Sequence, residues 1–245
     1  NLPHTDLTVY TDPRLDVSTG RFETPFLDWT VPNALDGWVR DVSNGGLYLN
    51  KKNIPRKADK GSLSNTTQTN STAKNFHLIR YADVLLWYAE TLIELGQPQQ
   101  AGEYINQVRA RAANSYVKAV DPATMTEASS TYVLDDKING KQSTDAAANY
   151  RIGLYPPSQF ASKDKALEAL RWERRLELAM ESQRFFDLVR WGIADSVINT
   201  FYKEEAPKRT YYEDAHFEKN RAEYVPIPQQ QINFSKQVYK QNYGY

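Results

Sequence analysis

The apolar positions of this chain are ordered in some stretches and scattered in others. From residue 81 to 95 they recur at Tyr81, Val84, Leu85, Tyr88, Leu92 and Leu95. Gaps of three and four residues place them along one side of an amphipathic helix. Gly96 suits the left-handed residue of a C-terminal turn, and Pro98 suits the opening of a following helix. The second helix is predicted over residues 99–112, with Ala101, Tyr104, Ile105 and Val108 on one face. So short a link makes the two helices antiparallel. Small residues at Ala89, Gly96 and Ala101 permit close approach, a spacing that matches a tetratricopeptide (TPR) hairpin. Such a hairpin cannot bury its own face and needs stacked neighbours.

A further helical stretch is predicted from residue 163 to about 190, with Ser162 as N-cap and a break near Ser182. Trp172, Leu176, Ala179 or Met180, and Gln183 share its stripe, and Trp87, Trp172 and Trp191 are expected in the core. Elsewhere no helical period survives. Residues 1–60 read as loops and short extended pieces, with a turn at "DPRL" in which Asp12 bonds the backbone just beyond Pro13. A Gly-Gly turn leads to a short strand near residues 47–50, and the small polar residues 61–75 read as a mobile surface loop. Residues 113–162 are irregular, as is the tail 199–245. The predicted organisation is therefore loops (1–75), helical hairpin (76–112), irregular (113–162), helices (163–198) and tail.

Charge narrows the function classes. The 30 basic and 30 acidic side chains balance, which argues against a nucleic-acid binder. Cysteine is absent, so neither a disulfide framework nor a thiolate site is available. In "LDDKINGK", Lys137 stands where a calcium loop needs an oxygen ligand. The histidines His4, His77 and His216 are far apart and read as structural or surface residues. No metal site or cofactor is expected.

The chemistry-bearing stretch is "WERRLELAMESQRFFDLVRWG", residues 172–192. Glu173, Glu177 and Glu181 form a column at spacing four, and Glu181, Arg184, Asp187 and Arg190 alternate in sign at spacing three. Neighbours at such spacings pair on a helix. A glycosidase needs two carboxyl groups facing each other across a substrate, roughly 5–10 Å apart. Acids in one column beside arginines have partners already, and an arginine lowers a carboxyl pKa, the wrong direction for a general acid. The expectation is an ion network that pins helices, and no enzyme.

Four segments carry a family resemblance. "RYADVLLWYAETLIELGQPQQAGEYINQVRARA" (80–112) and "ERRLELAMESQRFFDLVRWG" (173–192) resemble the helical segments of SusD/RagB-type proteins. "DPRL" (12–15) and "YVPIPQQQINFSKQVYKQNYGY" (224–245) match that family's order. Ser182 stands where the family often has Gly, and Tyr243 where it often has Pro. The resemblance implies a mainly α SusD-like fold, with TPR-type hairpins, a loop-rich region and a few short strands. The chain would correspond to the C-terminal half of the family's domain. A lipid anchor upstream would hold the protein at the outer-membrane surface of a Bacteroidetes cell. The implied role is to bind glycans, as a binding protein and not an enzyme, for import by a TonB-dependent SusC-type transporter. The alternative is a peptide or protein receptor of the RagB type.

Sugar rings stack on flat aromatic faces while amides and carboxylates take their hydroxyls. Trp29, Trp38, Tyr48 and Asn44 are the candidate ligand residues, with Asp36 and Asn50 near them in sequence. The competing reading packs the two tryptophans under the loops.

Overall fold

A computed structural model describes residues 6–33, 37–42, 46–65, 72–126, 129, 131–135, 139–236 and 238–245. They belong to two units, 1–181 and 182–245. In the first, Asp12 accepts from the Arg14 amide at 2.9 Å, as expected of the turn, but the chain then makes a five-residue helix α1 (Arg14–Ser18) that the sequence did not signal. Strand β1 (Thr19–Gly20) follows and pairs antiparallel with β2 (Leu49–Asn50), Thr19 opposite Asn50.

The hairpin forms as expected from α2 (Tyr81–Glu94) and α3 (Pro98–Ala113). Its turn satisfies the orphan carbonyls of α2 in a Schellman motif: the Gln97 amide donates to Leu92 O at 2.8 Å and the Gly96 amide to Ile93 O at 3.1 Å. Gly96 adopts φ 77°, and a Cβ there would meet nothing within 4 Å. Its smallness thus serves the backbone conformation, not helix approach. Close approach belongs to Gly102 on α3, where a Cβ would stand 2.5 Å from Cδ2 of Phe160. Gly102→Ala should therefore destabilise by about 1–3 kcal/mol through overpacking, despite better helix propensity. Urea unfolding of the variant checks this.

The buried face of α2 differs from the expected one. Leu86, Ala89, Leu92 and Ile93 enter the core, whereas Tyr81, Val84, Tyr88 and Leu95 are exposed, Tyr81 by 75%. The helix is apolar around most of its circumference, so spacing alone defines two rotated stripes. The stripe that carries Ala89 faces inward, and Ala89 is fully buried. On α3, Ala101, Ile105 and Val108 are buried as expected, joined by Gly102 and Ala112.

Residues 113–162 hold a short antiparallel pair missed by the sequence reading, β3 (Ser115–Val117) with β4 (Tyr132–Leu134). Asp136, Lys137 and Ile138 of the rejected calcium loop lie outside the described residues. So does much of the segment read as a mobile loop, residues 66–71. A 3-10 turn at Pro157–Phe160 precedes α4 (Lys163–Glu177), whose N-cap Ser162 accepts from the Lys165 amide at 3.4 Å. Helix α4 packs on α2 and α3 through Ala166, Ala169 and Leu170, sealing one core with Leu86, Ile93, Ile105 and Phe160.

Helix α4 stops at Glu177, well before the break expected at Ser182. Met180 and Ser182 both adopt positive φ, 65° and 64°, which no helix continues through. Its buried face is Ala166, Ala169, Leu170, Glu173, Arg174 and Glu177, and Trp172 is 48% exposed. Trp87 is also exposed and Trp191 half-buried, so the expectation of three core tryptophans fails. On α4, Glu173, Arg174 and Glu177 occupy the inward face that hydrophobicity assigned to Trp172 and Leu176.

The second unit contains α5 (Arg184–Arg190), α6 (Ala194–Glu205) and α7 (Gln229–Phe234). Helix α6 thus runs beyond residue 198, into the stretch expected to be irregular tail. Gly192, at φ 67°, closes α5 in the same manner as Gly96 closes α2. Leu188, Ala194 and Phe217 form this unit's core. The Arg190 Nε donates to Asp187 Oδ1 at 2.9 Å, one of the pairs expected at spacing three.

Candidate functional site

Glu173 and Glu177 lie one turn apart on α4 and point inward, with side chains 0% and 2% exposed. Buried carboxylates persist only with charge partners and hydrogen bonds. Arg14, on α1, supplies both: its Nη1 donates to Glu173 Oε1 at 2.6 Å and to Glu177 Oε2 at 3.2 Å. Arg109 reaches Glu173 Oε2 at 2.9 Å. Arg111 reaches Glu177 Oε2 at 2.5 Å, and Arg80 reaches Glu177 Oε1 at 3.0 Å. Arg80 also grips Glu181 with two parallel bonds, both 2.8 Å. Lys52 adds a bond of 2.5 Å to Glu181 Oε1 and one of 2.9 Å to the Glu177 carbonyl.

The acidic column is therefore the structural network expected, but its partners are not helix neighbours. They come from 64 to 163 residues away. The network ties α4 to the loop region and to both helices' flanks. A second buried pair does the same for α2, with Asp83 3.6 Å from Arg174. Burial holds the Asp83 carboxyl above its usual pKa, against the pull of Arg174.

Burial also acts to raise the Glu181 pKa, but hydrogen bonds from Arg80 and Lys52 prevail and hold it below 4.5. A carboxyl depressed in the folded state contributes stability above its unfolded pKa, and that stability is lost as pH falls through the folded value. Glu181→Gln should flatten this part of the acid limb below pH 4.5, measured as unfolding free energy against pH.

On its solvent side the network floors a pocket of about 280 Å³. Arg14, Lys52, Lys74, Arg80 and Arg111 line it against Glu177 and Glu181, with His77, Asn53, Val17 and Ser18 also in the wall. Asn53 is held at φ 63°. Burial shifts the Lys52 ammonium downward, a cost that Glu181 partly offsets. The Glu177 carboxylate already accepts from three guanidinium groups, and that of Glu181 from Arg80 and the Lys52 ammonium, an arrangement that opposes a general acid and suits retention of an anion. None of these cations was singled out from sequence. They are dispersed over residues 14–111, and no spacing rule joins them.

The expected ligand residues are arranged differently. The Trp29 indole N–H donates to Pro55 O at 2.9 Å, and the Lys60 ammonium sits 5.0 Å over its ring. Trp38 meets Phe26 edge to face, centroids 4.8 Å apart. Trp29, Trp38 and Tyr48 are all half-buried. The hydrogen bond on Trp29 and the ring contact of Trp38 favour packing under the loops. The Asn50 side chain accepts from the Lys52 amide at 2.8 Å. Asn44 and Asp36 lie outside the described residues.

Comparison with known proteins accounts for this architecture. A SusD-like protein of Formosa agariphila is 32% identical over 124 residues, which are 51% of this chain and 18% of that protein. The crystal structure of a SusD homolog from Bacteroides thetaiotaomicron superposes with a TM-score of 0.60 at 23% identity. The match covers 96% of this chain and 41% of that one, so the chain spans less than half the length of its relatives. No helix among the described residues is long and apolar enough to cross a membrane. The sequence model of the SusD family matches residues 8–245, and the chain belongs to that family.

Proposed function

We propose that the chain is part of a cell-surface protein that captures glycans and passes them to a TonB-dependent SusC-type transporter. A lipid anchor upstream holds it at the outer membrane. Family membership over nearly the whole chain carries this reading. The site chemistry agrees with a binding role rather than turnover, because the clustered carboxylates are engaged by cations. Trp29, Trp38, Tyr48 and Asn44 are the proposed stacking and hydrogen-bonding residues of the loop region, the first three through the part of each half-buried ring that its packing contacts leave open.

Retention of the protein in native gels cast with plant, host and microbial polysaccharides tests the reading. Slowed migration on at least one polymer is expected, without release of reducing sugar. Trp38→Ala should weaken that retention by more than its loss of the Phe26 contact lowers the melting temperature, and a large fall in melting with retention kept marks Trp38 as a packing residue. Binding of peptides with no polysaccharide retained would replace this reading with the peptide receptor.

A further inference from the structure

We infer that the pocket floored by Glu177 and Glu181 is a subsite for an anionic sugar substituent, the carboxylate of a uronic acid or a sulfate ester. This inference rests on the glycan-binding reading and deepens it by naming the ligand class. Its basis is a surplus of cations beyond what the network consumes.

The internal partners of the network are saturated. Arg14 directs its Nε and Nη2 to Asp12 at 3.0 and 2.7 Å, and its Nη1 to the two glutamates. Arg80 spends its fork on Glu181 and Glu177. These residues set the floor and do not reach outward. The rim differs. Lys74 and His77 line the pocket and are exposed, and among the described residues neither meets a carboxylate. The Arg111 side chain keeps 41% of its surface open although it holds Glu177. Lys52 has two bonds from an ammonium that carries three donors. Donors therefore converge on the pocket mouth with protons to spare, over a floor whose own charge is already compensated.

An anion entering there meets the Lys74 and Lys52 ammonium groups and the Arg111 guanidinium, with the His77 ring beside them, without displacing Glu177 or Glu181. Charge-assisted hydrogen bonds of this kind are about twice as strong as neutral ones. The volume, about 280 Å³, lies just below the ~300–1,000 Å³ common for small-molecule sites. It accommodates one sugar unit of a longer chain. A neutral sugar would leave the rim cations with nothing to bind, so the site discriminates by charge. The electrostatic part of the affinity falls as salt screens the exposed rim.

The test uses the complete protein as its cell produces it. Native gels are cast with polygalacturonate, a sulfated galactan, and neutral glucan and galactan, and run for the parent, Lys74→Glu and His77→Ala. Both substitutions fall on exposed residues outside the network, so unchanged melting is expected and is measured alongside. Retention on an acidic polymer should weaken with rising salt and weaken roughly tenfold in Lys74→Glu. The polymer retained tells carboxylate from sulfate ester. Retention on neutral polymers alone overturns the subsite and leaves glycan capture standing. Acidic retention that both variants keep in full places the ligand elsewhere and also overturns it. No retention on any polymer overturns subsite and glycan capture together.

Discussion

Glu177→Ala is expected to destabilise the first unit by about 3–5 kcal/mol, the usual cost of stripping one partner from a buried ion pair. Glu177 is 3% exposed and accepts from Arg14, Arg80 and Arg111. Without it, Arg14 keeps Glu173 and Asp12, and Arg80 keeps Glu181, but both guanidinium groups face an empty, poorly solvated site. The penalty comes from these stranded cations more than from lost attraction. A midpoint fall of roughly 10 °C corresponds to that free energy in a chain of this length. Lys163→Ala is the control. Its pair with Glu94 is half-exposed on both sides, and an exposed pair contributes about 0–1 kcal/mol. Similar losses in the two variants would show that the buried network does not hold the fold. Denaturant titration of both variants measures the difference.

Leu170→Ala is expected to cost about 2–5 kcal/mol. Leu170 is fully buried at the junction of α4 with α2 and α3, where Leu86, Ile93 and Ile105 are equally inaccessible. Three helices packed around Leu170, with Ala89 and Ala101 fully buried in the same core, resist collapse onto the lost volume. Trp172→Ala, two residues further along α4, removes a far larger side chain. It should cost less than Leu170→Ala, because Trp172 is about half exposed and rests against Arg175, with the guanidinium 5.1 Å over the ring. Paired urea titrations decide the order. The reverse order would restore Trp172 to the core and refute the helix orientation described above.

The hairpin was legible because its signals are local. Gly96 and Pro98 mark the turn, and gaps of three and four mark the helices. Which stripe of α2 faces inward was not legible, since two apolar stripes compete and only the partner helix selects the one with Ala89. Helix α4 was misjudged for a related reason. Its inward residues near the C-terminus are Glu173, Arg174 and Glu177, and hydrophobicity assigns charges to solvent unless the distant partners are known. The column of acids at spacing four did point to an ion network, and of the alternating set Arg190 pairs with Asp187. It could not show that Arg14, Lys52, Arg80, Arg109 and Arg111 complete it, since chain separation hides their proximity. The pocket was missed for the same reason. The aromatic residues of the loop region were visible as types, but composition cannot tell a face open to a sugar from one committed to Phe26 or Lys60.

The distance along the chain between Arg14 and Glu177, 163 residues, also has a meaning in time. A ribosome adds about 5–20 residues per second, so Arg14 is made roughly 8–30 s before the carboxylate that holds it. Over that interval the arginines at 14, 80, 109 and 111 exist without Glu173, Glu177 or Glu181. The helical hairpin can form early, since its contacts are local. The loop region meets residues 115–150 first, with Val17 against the Tyr116 cluster and the Tyr150 hydroxyl donating to Asp16, but its ionic tie to the hairpin waits for the last acidic turn. Residues 173–181 therefore act as the closing stitch of the first unit, and a chain cut short before them lacks every carboxylate that joins Arg14 to Arg80, Arg109 and Arg111.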